Sequence, residues 1–172
     1  MDVFYYWKDI NEDLKAQRIG YLKSHPDRLK EFQNGSPDYI WVFRAPVAPK
    51  GQSKAFVKGQ GQVQLHARLR WSDNAIKAAA RRPGESYLYY LADHADSVIY
   101  ANSATASAVT AATTWVRLHL PTAINGNFQG VHGQYALRGA TIGELKLLAR
   151  SFATLPFVEK PQAEPQVDAV SG

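Results

Sequence analysis

The chain has 172 residues, a formal net charge of +5 with a pI near 9.4, and no cysteine. That length suits one domain with a tail and buries roughly two-thirds of the unfolded surface, so a core needs no covalent staple. Without thiols, disulfides, thiolate metal sites and cysteine nucleophiles are excluded, and 45% hydrophobic against 20% charged residues marks a globular chain.

Residues 3–8 open as a strand led by aromatic and β-branched side chains and closed by Asp9 and Asn11. Asn11 is placed to cap a helix running through Leu14, Arg18 and Leu22, with Glu12 and Asp13 in its first turn. Pro26 interrupts, and residues 27–33 form a second short helix ended by Asn34-Gly35. The turn Ser36-Pro37-Asp38 introduces a strong strand over 40–47, whose far end lies among Pro46 and Pro49. Residues 55–58 and 62–71 flank Gly59-Gln60-Gly61 as a hairpin. In the second arm Val63, Leu65, Ala67 and Leu69 alternate with Gln64, His66, Arg68 and Arg70, the pattern of a half-buried strand with a polar, basic outer face.

Ser72 or Asp73 then caps a helix over 74–81, stopped by Pro83-Gly84. Residues 86–91 and 97–100 read as strands that pair across Asp93-His94-Ala95-Asp96. Residues 101–112 read as a loop or weak helix, 113–120 as a strand, and 121–133 as a Gly/Asn-rich loop. Thr141 caps a last helix through Leu145, Leu148 and Ala149. Strands joined by hairpins argue against a doubly wound sheet. The expected fold is α+β, a strongly bent mixed or antiparallel sheet forming a barrel-like body over residues 1–158 with peripheral helices. Residues 159–172 sum to −2 without periodicity and read as a disordered tail or linker.

Charge is concentrated. Residues 44–82 carry +8, with Asp73 their one acid, so Lys54, Lys58, Arg68 and Arg70 are candidate phosphate contacts. No apolar run approaches the roughly 20 residues of a spanning helix, and the N-terminal Met-Asp-Val-Phe has no basic leader region. A cytoplasmic chain with no membrane partner is the expectation.

Catalytic motifs do not assemble. The histidines at 25, 66, 94, 119 and 132 form no metal-binding helix pair, and Asp93-His94-Asp96 suits a polar turn better than a metal. Gly59-Gln60-Gly61 lacks the Lys-Ser/Thr of a phosphate loop. Pro37-Asp38 and Glu144-Leu145-Lys146 mimic pieces of a nuclease metal site, but Glu144 and Lys146 on a helix face different ways. No cofactor or metal is expected, and any nuclease activity would reside in a separate domain.

The aromatics instead gather on strands. Alternation puts Tyr5 and Trp7 on one face of their strand and Trp41 and Phe43 on one face of theirs, a candidate slot for a flat ligand such as a nucleobase. Trp71 stands where the basic strand runs into a helix cap.

The opening Tyr6-Trp7-Lys8, the strand at 40–44, and Gln134-Tyr135-Ala136-Leu137-Arg138-Gly139 leading into the helix at 141–150 resemble the PUA-like superfamily, particularly its EVE branch. The resemblance implies a nucleic-acid reader, DNA ahead of RNA, that flips a modified base into an aromatic pocket. In bacteria it implies the specificity module of a modification-dependent restriction nuclease, with a C-terminal effector beyond the tail. On that reading Trp7 and Trp41 wall the pocket and Asp73 accepts an exocyclic amine, as a carboxylate reads cytosine N4. Asn127 and Gln129 would probe a base edge or the gap left in the duplex. An RNA-binding PUA-like domain, or a small-molecule enzyme or interaction domain without nucleic acid, are the alternatives, and the oligomeric state is open.

Overall fold

A computed structural model describes residues 1–47, 61–74 and 84–158. The expected hairpin arm at 55–58, the helix over 75–81 and the tail at 159–172 lie outside the described residues.

The aromatic N-terminal run forms β1 (Asp2–Tyr6), followed by α1 (Ile10–Lys15). This helix is shorter than its sequence pattern predicts. Gln17 and Gly20 take positive φ (58° and 98°) and turn the chain, so Leu22 belongs to a strand, β2 (Tyr21–Ser24). Next come α2 (Pro26–Gly35), with Pro26 in its first turn, and β3 (Tyr39–Arg44). The basic strand is β4 (Gln64–Ser72), followed by β5 (Ser86–Leu91) and β6 (Val98–Tyr100).

Residues 113–120, expected as a strand, belong instead to α3 (Ala106–His119). Thr105 caps it, its Oγ1 accepting from Ala108 N at 3.3 Å. Val109, Ala112 and Val116 recur at helical spacing and bury themselves, and this packed stripe overrides the β-propensity of the threonines. The Gly/Asn-rich stretch likewise holds structure, α4 (Pro121–Asn125) and a 3-10 turn at Gly130–Gly133. Last are β7 (Gln134–Leu137), α5 (Ala140–Ala149) and a short β8 (Thr154–Pro156).

The result is a mixed α+β fold whose strongly curled sheet forms a half-barrel. Strand order is β2-β5-β4-β3-β1-β7, with β6 on β4 and β8 on β6. Among the described residues only β1 and β3 pair in parallel, and the other pairings are antiparallel. The expected hairpin between β5 and β6 does not form. Both lie along the same side of β4, as two pieces of one strand interrupted by residues 92–97. Ser97 closes the interruption. Its hydroxyl donates to Leu91 O at 2.6 Å and accepts from Arg70 N at 2.9 Å, supplying ladder bonds that the excursion would otherwise break.

Register decides which side chains meet. Phe4 pairs with Trp41 and Tyr6 with Phe43, while Val3 pairs with Ile40 and Tyr5 with Val42. The first set packs under α3, α4 and α5 with Trp115, Val116, Ala123 and Leu145. The second packs with Ile10, Leu22 and Phe32 from α1, β2 and α2. A bulge in β4 opposite Val42 and Phe43 makes His66 an extra residue. The single apolar face expected for this strand is therefore split. Val63 and Leu65 go to one cluster, and Ala67, Leu69 and Trp71 to the other.

Asp2 holds the parallel pair. It is 2% exposed, its Oδ2 accepting from Trp41 Nε1 at 2.8 Å and its Oδ1 from Tyr39 N at 3.2 Å. Charge-assisted bonds of this kind are costly to break because each donor is then stranded out of water. Asp2→Ala is expected to lower folding stability by about 2–4 kcal/mol. The measurement is a urea titration, with a reduced midpoint at unchanged slope.

Candidate nucleic-acid interface

The slot anticipated between two strands does not form. Because residues paired in β1 and β3 share a face, Trp41 and Phe43 point to one side of the sheet and Tyr5 and Trp7 to the other. Alternation correctly pairs the residues within each strand but carries no information about register between strands. Trp41 (1% exposed) stacks on Tyr100 at 6.4 Å, and Phe43 stacks on Trp115 at 5.5 Å. Trp7 (2% exposed) donates Nε1 to Asp13 Oδ2 at 2.7 Å and stacks on Phe157 at 6.5 Å. The Tyr5 hydroxyl donates to Lys23 O at 2.7 Å, and burial pushes its pKa up. These four rings are core.

Trp71 and Asp73 are placed differently. Where β4 ends beside β5, Trp71 Nε1 donates to Asp73 Oδ1 at 2.7 Å, fixing the carboxylate against the indole edge. Both line an open pocket of about 340 Å³, with Tyr87, Tyr89 and Glu85 from the β5 side and Gln33 from α2. That volume is at the lower end of the roughly 300–1,000 Å³ typical of small-ligand sites. Tyr87 packs edge-on against Tyr21 at 5.3 Å and donates its hydroxyl to Glu85, which also pairs with Lys23 at 3.3 Å. The second oxygen of Asp73 makes no hydrogen bond among the described residues. Aromatic faces beside an aimed carboxylate suit a flat ring carrying an amine. The chain on either side of the pocket, at Asn74 and Gly84, bounds residues 75–83, which include Lys77, Arg81 and Arg82 and no acid.

The four candidate phosphate contacts divide. Lys54 and Lys58 lie outside the described residues. Arg68 is committed to the fold: Nε and Nη2 donate to Asp96 O at 3.3 and 3.2 Å, and its guanidinium lies 4.6 Å from the Tyr39 ring and 5.9 Å from that of Trp41. The Arg70 guanidinium also lies over Tyr39, 5.4 Å from the ring. The expected basic outer face of β4 is thus half-covered, with Gln64 buried and donating to Ser103 Oγ at 2.8 Å.

Asn127 and Gln129 are exposed on a loop in which Asn127, Phe128 and Gly130 all take positive φ (53°, 56° and 55°). Phe128 anchors it by stacking on Tyr6 at 4.3 Å and 10°. Glu144 turns to His119 on α3. Among the described residues no group of three or more His, Cys, Asp or Glu is arranged to hold a metal, and no helix is long and apolar enough to cross a membrane.

Sequence reasoning missed Arg44 and His66 as a unit, because the bulge that brings His66 into play leaves no mark in the alternating pattern. Arg44 ends β3 with Nε buried and without a hydrogen-bond partner among the described residues, and burial lowers its pKa. His66 is pushed down to about 4, chiefly by burial and then by the Arg44 charge. In comparisons with family models, curated proteins and solved structures, nothing matches the chain.

The His66 shift has a defined sign. The folded state resists protonation that the unfolded chain accepts near pH 6.5, so stability falls as pH drops from about 6.5 to 4 and is unaffected by this group above that window. His66→Gln is expected to remove about 2 kcal/mol of that acid sensitivity, measured as the difference in unfolding free energy between urea titrations at pH 7 and pH 4.5.

Proposed function

We propose that this chain is a nucleic-acid-binding reader that takes one unstacked base into the pocket at Trp71 and Asp73. The observation that carries the reading is the placement of an indole, two phenol rings and an aimed carboxylate around one open volume of about 340 Å³. A base leaving a duplex costs a few kcal/mol, and stacking on aromatic side chains returns about 1–3 kcal/mol. Asp73 would accept the exocyclic amine and so choose among bases, while the basic excess of residues 44–82 would hold phosphates. The curled half-barrel is compatible with the PUA-like, EVE-type fold that the terminal motifs suggest. On this reading the ligand is a modified base in DNA.

The test is a binding panel of plain duplex, duplex carrying methylated or hydroxymethylated cytosine, and structured RNA, at two salt concentrations. The expected result is salt-sensitive binding with preference for a modified duplex. Asp73→Asn should weaken binding of duplexes whose flipped base is a cytosine, plain or modified, about tenfold while leaving the salt dependence unchanged. Preference for RNA would make the chain an RNA reader, and no salt-sensitive binding to any arm would overturn the reading.

A further inference from the structure

The arginine at the end of β3 is poorly accommodated by its own protein. Arg44 Nε is buried with no acceptor among the described residues, and the one hydrogen bond of the guanidinium to them is a long, exposed 3.4 Å contact from Nη2 to Asn11 Oδ1. No carboxylate among the described residues pairs with it. The following chain offers none either, since positions 45–63 contain no Asp or Glu but add Lys50, Lys54 and Lys58. His66 stands within electrostatic reach and is neutral at pH 7, as does the Tyr6 hydroxyl. A desolvated cation is normally paired, because charge taken out of water without compensation costs several kcal/mol.

We propose that Arg44, with Asn11 and Tyr6 beside it, is a binding site for a phosphate-type oxyanion at the exposed Nη edge of the guanidinium. A planar guanidinium donates two parallel N–H bonds to phosphate oxygens, and a ligand there supplies the negative charge that the fold withholds. The neighbouring donors fit the same ligand: the Asn11 side chain needs only to turn its amide group, and the Tyr6 hydroxyl can donate. Tyr6 also carries Phe128, so the site adjoins the loop that exposes Asn127 and Gln129. Arg68, by contrast, is already committed to Asp96 and Tyr39. Among the described arginines of the basic stretch, Arg44 is the one with a buried guanidinium nitrogen that has no acceptor. The site stands on its own geometry and does not require the base pocket.

The experiment uses the full chain and inorganic phosphate, followed through the arginine Nε–H resonances in NMR and by calorimetry. Phosphate should bind saturably and shift the Arg44 resonance. Arg44→Gln should weaken binding about tenfold or more, and Arg44→Lys should restore only part of it. Arg117→Gln, an exposed arginine on α3, should leave binding intact. Circular dichroism and thermal melts confirm that each variant is folded. Non-saturable binding, or binding retained in folded Arg44→Gln, overturns the site. A 12-bp DNA duplex distinguishes the source of the anion. Competition with phosphate at Arg44 identifies a backbone phosphodiester. Phosphate binding that the duplex fails to displace supports a site for a free phosphate ligand, and leaves the base-pocket reading to its own panel.

Discussion

The architecture hangs on a buried carboxylate at the second residue. Asp2 accepts from the indole of Trp41 and the backbone of Tyr39, and both donors lie on the strand that runs parallel to its own. Parallel neighbours have no tight turn to set their register, so a side chain must do it. A slip of β3 by one residue would carry Trp41 and Phe43 to the face opposite Phe4 and take from that core two of its largest members. Because β3 in turn carries β4, and β4 carries β5 and β6, the alignment set at Asp2 extends across the sheet.

With both faces of the sheet filled by aromatics, space for a ligand is left at the strand ends. The pocket at Trp71 lies where β4 reaches its last residues beside β5 and α2. Arg44 and His66 lie toward the other end of β4, where it pairs with β3. The acidic and basic demands of the molecule are thus separated along β4, a carboxylate aimed into the pocket at one end and an uncompensated guanidinium at the other.

Local chemistry was legible where it was local. The strands expected over 40–47 and 62–71 and the short helix ended by Asn34-Gly35 appear as β3, β4 and α2, because their signals lie in residues adjacent in sequence. The long helix over 106–119 was hidden by its own composition, since alanine and threonine give little amphipathic contrast and its meaning depends on what Val109, Ala112 and Val116 pack against. The candidate slot failed for a different reason. Facing within a strand is periodic, but facing between strands is a matter of register, which Asp2 sets through residues nearly forty positions away. The bulge at His66 belongs to the same class, since one extra residue inverts the strand beyond it without altering its alternation.

Phe157 gives the C-terminal end of the fold a mechanical character. The three-residue strand β8 pairs with β6, and immediately beyond it the Phe157 ring inserts between Trp7 and Tyr90 while its N–H is held by Ser97 O. Anything attached after this point pulls on a plug seated in the concave core rather than on a surface strand. Tension from an appended body would be resisted first by the short β6–β8 ladder and then by an aromatic side chain whose removal opens the cluster around Trp7.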